Sequence, residues 1–203
     1  MSNERRAIVH PNKAELAHAV AARFLSKVPQ IIAEFDEATV VLTGGTMGQA
    51  VLEAINESPQ RDAVDWSRVN FWWGDERWLP AGDPERNDFQ ARKALLDHIP
   101  VTASRVHAVA ASDSGLSLDD AAQAYANDLR AHSARTGKYP NFDIVFLGVG
   151  PDGHVASLFP EREGIRELDR TVIAVRNSPK PPDERVSLTQ LFCANLGGCR
   201  GRG

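Results

Sequence analysis

The residues best suited to chemistry lie between Gly148 and His154, where the chain reads GVGPDGH. Glycines in such a turn allow positive φ and a sharp reversal, which lets a fold present one imidazole into a cleft. Asp152 stands two residues before His154, close enough to orient the ring or stabilise its charged form. An imidazole titrating near neutrality is matched to taking a proton from water. A lone histidine is more often structural, but this setting favours a catalytic one.

Three other segments carry candidate binding groups. Thr43-Gly44-Gly45-Thr46 sits between a strand-like run and a helical one. It is either an anion cradle, with backbone N–H groups and two hydroxyls, or a plain glycine turn. No Walker A lysine follows, which disfavours nucleotide hydrolysis. Asp75 and Arg77 are two apart at a strand end and face the same side. Arg77 can fork onto phosphate or carboxylate oxygens, or simply pair with Asp75 at the surface. Prolines stiffen the stretch from Ser178 to Arg185, so Lys180 and Arg185 either close over an anion or belong to a rigid exposed linker.

Some chemistries are disfavoured. HExxH and paired CxxC are absent, so no metal and no cofactor are expected. Ser157 lies outside any G-x-S-x-G elbow, which argues against a serine nucleophile. His10, His18, His98, His107 and His132 are expected on helices or at the surface, and Trp72, Trp73 and Trp78 in the core or a pocket wall.

The elements that must hold these groups follow from periodicity. Apolar residues from Leu16 to Phe35 recur on one helical face, with Pro29 expected to end or kink the helix. Residues 38–43 and 69–73 are short buried strands, and 142–147 is the most strand-like run. A further strand is expected over 171–175, and helices over 47–56 and 88–96. Ser117 caps another helix with Asp120, turning Ala121, Ala124, Tyr125 and Leu129 inward. Strands alternating with helices imply an α/β fold, an open, mostly parallel sheet covered by helices on both faces. Ligands bind such sheets beyond the carboxyl ends of the strands, where the loops after Leu42, Trp73 and Leu147 can converge.

Composition narrows the partners. The chain has 203 residues, 42% hydrophobic and 25% charged, enough for one domain with a real core. A net charge of −4 gives no basic stripe for a nucleic acid and discourages an anionic membrane. The charged beginning has no apolar leader, and Cys193 and Cys199 make no disulfide framework, so a cytoplasmic monomer is the expectation.

Four segments together resemble the 6-phosphogluconolactonase family: VVLTGGTMGQAVLEAI (40–55), FWWGDERWLP with DPERN (71–87), DIVFLGVGPDGHVASLFP (143–160) and SPKPPDERVSLT (178–189). The resemblance implies a single Rossmann-like domain over 1–189. It also implies a carboxylic ester hydrolase of carbohydrate metabolism that opens 6-phospho-D-glucono-1,5-lactone to 6-phosphogluconate in the oxidative pentose phosphate pathway. His154 would activate water beside Asp152, and Gly44, Gly45 and Thr46 would form the phosphate loop. Arg77 and Arg185 would contact the ligand, a phosphorylated sugar lactone. Glucosamine-6-phosphate deaminases share the fold but place a glutamate five residues after the histidine, where this chain has Phe159.

After Thr189 the family pattern stops, and the chain ends QLFCANLGGCRGRG. That departure predicts a disordered tail over 190–203, an exposed strand edge and reduced stability. An inactive sugar-phosphate-binding remnant is therefore a competing expectation.

Overall fold

The computed structural model describes residues 6–133 and 141–191. The expected tail thus falls largely outside the described residues, although Gln190 is placed, with Nε2 donating to the Ile165 carbonyl at 2.7 Å. In chain order the helices are α1 (Lys13–Phe35), α2 (Gly45–Glu57), α3 (Asn87–Ala94) and α4 (Leu118–Ala131). The strands are β1 (Ala38–Leu42), β2 (Val69–Trp73), β3 (Asp75–Arg77), β4 (Ile144–Val145), β5 (Val172–Val175) and β6 (Arg185–Leu188).

Parallel pairing in the order β2-β1-β4 forms the first sheet. Side chains alternate across it, as the period of a strand requires. Val40, Leu42, Phe71 and Trp73 enter one core with Phe24, Val28 and Ile55 of α1 and α2. Val41 and Trp72 enter a second core with Tyr125 and Leu129 of α4. Helices therefore cover both faces, the α/β architecture expected from the strand–helix alternation.

A second, antiparallel sheet, β3-β6-β5, was not foreseen. Only β5 matches an expected strand, 171–175; the other two hide in the sequence, since Asp75-Glu76-Arg77 has no apolar alternation and β6 follows a run of prolines. Gly74 hinges the two sheets. Its N–H donates to the Leu42 carbonyl at 3.0 Å, and its own carbonyl accepts from Leu188 N–H at 2.9 Å.

Other expectations need correction. The first helix starts after an Asn12 cap and, contrary to expectation, runs on through Pro29. Phe24, Leu25, Val28 and Ile31 bury both halves of it, which offsets the roughly 3 kcal/mol an internal proline costs. In α4 the inward residues include Ala122 and Ala126, while Ala124 is exposed. The strand expected over 142–147 narrows to Ile144–Val145, half-buried and paired only with β1 among the described residues.

The histidine assignment also changes. His107 is buried and lies flat on Trp72, ring centroids 3.9 Å apart and planes 2° from parallel. Burial pushes its pKa below the ordinary value, against the pull of Asp128.

Glu76 anchors the loop that follows β3. It is 1% exposed, and its carboxylate accepts N–H groups from Arg77 (2.7 Å), Asn87 (2.7 Å) and Asp88 (2.9 Å). Two of these are donors at the start of α3, whose own cap residue supplies no side-chain bond. Arg86, 2% exposed, reaches to 3.7 Å of the same carboxylate and donates to Val109 O, Leu79 O and Asp88 Oδ1.

Candidate active site

Three loops leave the carboxyl ends of β1, β2 and β4 and meet. A Cβ built on Gly148 would lie 3.7 Å from Thr43 Oγ1, so the first and third loops touch. Ser157 Oγ donates to Asp75 Oδ2 at 2.7 Å, joining the third loop to β3. Asn87 spans the remaining gap: its Nδ2 donates to Asp75 O at 2.8 Å, and its Oδ1 lies against Gly44.

At the centre is the glycine turn. Gly150 N–H donates to the His154 carbonyl, and Gly153 N–H to the Gly150 carbonyl, both at 2.9 Å. Gly153 has φ +86°, a conformation that L side chains rarely adopt. A Cβ on Gly150 would come within 2.1 Å of the His154 ring, so that position admits no side chain while the imidazole stays where it is.

His154 Nδ1 stands 2.6 Å from Asp152 Oδ1. A carboxylate at that distance accepts, which assigns the proton to Nδ1 and leaves the Nε2 lone pair as the base. Lys180 Nζ donates to the same Asp152 oxygen at 3.0 Å. Hydrogen bonds from His154 and then Lys180 hold the Asp152 carboxyl well below the usual carboxylate range. Phe159 packs against the imidazole, ring centroids 4.7 Å apart, and is itself buried.

Around this turn the cations gather. Arg77 and Arg185 are direct cross-strand partners in β3 and β6, where like charges repel. Arg185 is 4% exposed, and its guanidinium donates to the carbonyls of Lys180, Pro181 and Pro182. Burial, then repulsion from Arg77, lowers its pKa. Arg77 Nη1 donates to Glu85 O at 2.6 Å, while its Nε is buried with no acceptor among the described residues. An anion near the pair would offset the repulsion between the two charges.

Asp75 does not pair with Arg77. Its carboxylate is buried, bonded to Ser157 and 3.9 Å from Arg185 Nη1, which suits positioning Arg185 more than meeting a ligand. The 178–185 segment is exposed at Pro179, Pro181, Asp183 and Glu184 but is buried at both ends, Ser178 and Arg185, and Lys180 ties it to Asp152. Thr43, Gly44, Gly45 and Thr46 open α2, with Gly45 at φ +78° and no side chain capping the first N–H groups. Asn87, whose Oδ1 is buried without a partner, and Ser157 are members of the cluster that sequence reasoning did not single out as ligands or supports. The DPERN run contained Asn87, but nothing local to it points at Gly44.

Comparison with known proteins bears on the family of the chain. The family described as Glucosamine-6-phosphate isomerases/6-phosphogluconolactonase matches residues 11–195. A 6-phosphogluconolactonase of Streptomyces coelicolor is 53% identical over 193 residues, covering 93% of this chain and 74% of the relative. One from Mycobacterium tuberculosis is 43% identical over 183 residues, covering 89% and 73%. The solved structure of 6-phosphogluconolactonase from Trypanosoma cruzi superimposes with a TM-score of 0.78 at 28% identity, over 94% of this chain and 77% of that one. With the match running from the first helix through β6, past the glycine turn and both arginine strands, the chain belongs to the glucosamine-6-phosphate isomerase/6-phosphogluconolactonase family.

Proposed function

We propose that this protein hydrolyses 6-phospho-D-glucono-1,5-lactone to 6-phospho-D-gluconate, with His154 as general base. The observation that carries the proposal is the His154–Asp152 contact at 2.6 Å on the turn where the loops converge, an arrangement in which Asp152 orients the ring and Nε2 serves as the base. A lactone is already an activated ester, so water suffices as nucleophile. His154 Nε2 takes a proton from water while the water oxygen bonds to C1. The tetrahedral oxyanion then collapses and expels the ring oxygen, which recovers the proton from the imidazolium. Positive charge for the oxyanion is assigned to Lys180, whose Nζ lies beside His154 and Asp152.

The phosphate is assigned to the 43–46 loop, where the first amides of α2 and the hydroxyls of Thr43 and Thr46 face it, with Arg77, Arg185 and Lys180 supplying positive charge. Anchoring the far end of the sugar spends remote binding energy on holding C1 near the water. Lys180 also holds Asp152, so its charge serves the base as well as the ligand.

Phe159 separates this reading from the deaminase one. The position where a deaminase would carry its ring-opening glutamate holds an apolar ring against the imidazole. The deciding experiment follows lactone opening, corrected for the spontaneous rate, beside ammonia release from glucosamine 6-phosphate. Lactone opening above background without ammonia is expected; ammonia release, or neither activity, would overturn the proposal. Sedimentation and cell fractionation test the accompanying expectation of a cytoplasmic monomer.

Gly150 provides a sharper test of geometry. Gly150→Ala forces the imidazole aside, and a displacement near 1 Å can cost about 10²-fold in rate. The variant is expected to lose about that much kcat while its thermal midpoint stays near the parent's. An unchanged kcat would show that His154 does not act from this position.

A further inference from the structure

We propose that His107, Asp128 and His132 bind a divalent first-row transition-metal cation, Zn2+ foremost, at a site separate from the catalytic turn. The proposal is independent of the lactonase reading, and no member of the trio belongs to the catalytic or phosphate-binding set. One candidate ligand atom from each residue lies within 4.8 Å of the other two. Asp128 stands between the rings, with one oxygen 3.1 Å from His107 Nδ1 and the other 3.1 Å from His132 Nδ1. These spacings approach those between neighbouring ligands around a tetrahedral cation with bonds of about 2.0–2.2 Å.

The geometry is preorganised rather than a chance meeting of surface groups. His107 is 8% exposed and clamped flat on Trp72, and His132 meets Trp72 edge-on at 5.3 Å. The two imidazoles stand 4.4 Å apart at 70°. Asp128 and His132 are four residues apart, so helical spacing places them on one face at the end of α4. Carbonyls at a helix C-terminus add negative potential there.

Ligation through Nδ1 requires a tautomer exchange at His107. Its Nε2 is buried and has no partner among the described residues, so moving the proton from Nδ1 to Nε2 exchanges the Asp128 contact for an unpaired N–H, a cost that the metal bond must offset. Nδ1 is then free to ligate. Two imidazoles and one carboxylate suit Zn2+, Co2+ or Ni2+ and not Mg2+ or Ca2+, which prefer all-oxygen sites. A bound cation would tie the end of α4 to the segment after Val106, whose Val106 bridges to Phe71 of β2.

The test uses the full chain, stripped with chelator and kept reduced, titrated with Zn2+ and with Co2+ as a spectroscopic probe. His132→Ala, at a half-exposed position, is the principal variant, with Asp128→Asn as the second. One equivalent is expected to bind the parent at least about tenfold more tightly than either variant and to raise its melting midpoint, with no effect of Mg2+. His154→Ala is expected to retain that equivalent. Absence of binding, equal binding by parent and His132→Ala, or loss of binding in His154→Ala would each overturn the proposal. Melts of the metal-free variants establish that any lost binding is not lost folding.

Discussion

His154→Ala is expected to lower kcat for the lactone by about 10²–10⁴-fold, the usual range for general-base assistance, with little change in the affinity for 6-phosphogluconate. The asymmetry follows from placement. In the proposed mechanism the imidazole acts on the attacking water, whereas ligand affinity is assigned to the 43–46 loop and the cations of β3 and β6. Steady-state rates and product-inhibition constants, measured side by side, check it. An alanine variant with parental kcat would remove His154 from the mechanism.

Asp152→Asn is expected to cost less. An asparagine keeps one acceptor oxygen but loses the charge that fixes the ring's tautomer and holds Lys180. The buried aspartate of a serine-protease triad supplies about 10⁴-fold through that role. Asp152 is 38% exposed, so solvent screens it and the loss should fall below that ceiling. Its depressed pKa also sets a pH expectation. The Asp152 contacts to His154 and Lys180 are fully present above the ordinary 3.8 and are lost only as pH falls through the lower folded value. Titration of Asp152 therefore adds no acid limb to the rate profile at pH 5 or above.

The largest stability effect is expected at Glu76. Glu76→Ala removes the acceptor of three backbone N–H groups and one of the two carboxylates beside the buried Arg86 guanidinium, leaving Asp88 as the other. Breaking a buried ion pair on one side costs about 3–5 kcal/mol, a large part of a typical domain's stability. Chemical denaturation at pH 8 should show a loss of that order. A loss under about 1 kcal/mol would mean that water satisfies this loop and that Glu76 does not hold it.

Acidity refines the expectation. Burial pushes the Glu76 carboxyl up from 4.5 to about 7, opposed by Arg86 and the Asn87 and Asp88 amides. Because the folded value is raised, the associated stability is fully present below 4.5 and declines as pH rises through about 7. Glu76→Gln should flatten that slope between pH 5 and pH 8. The consequence reaches the active site, since the loop Glu76 anchors carries Asn87, which contacts both Gly44 and Asp75.

Much of this arrangement is legible locally. The 3.6-residue period of α1, the β-branched run of β1 and the Ser117 cap of α4 are short-range signals, and each appears where the chain places it. So does the glycine turn that sets His154 beside Asp152, because the partners are two residues apart. Where short-range signals mislead, long-range packing has outweighed them. Pro29 stays inside a helix because both flanks are buried, and the 142–147 run yields only two strand residues because it pairs on one side.

From the order of its residues alone, the chain determined an α/β fold, three candidate loops and a candidate base with its neighbour. The tertiary structure decided which cations face one another, that Asp75 serves Arg185 instead of Arg77, and that His107 is core rather than surface. The physical reason is range. Capping, turn geometry and periodicity act over a few residues, whereas the β3–β6 pairing joins residues more than a hundred positions apart, which no local pattern encodes.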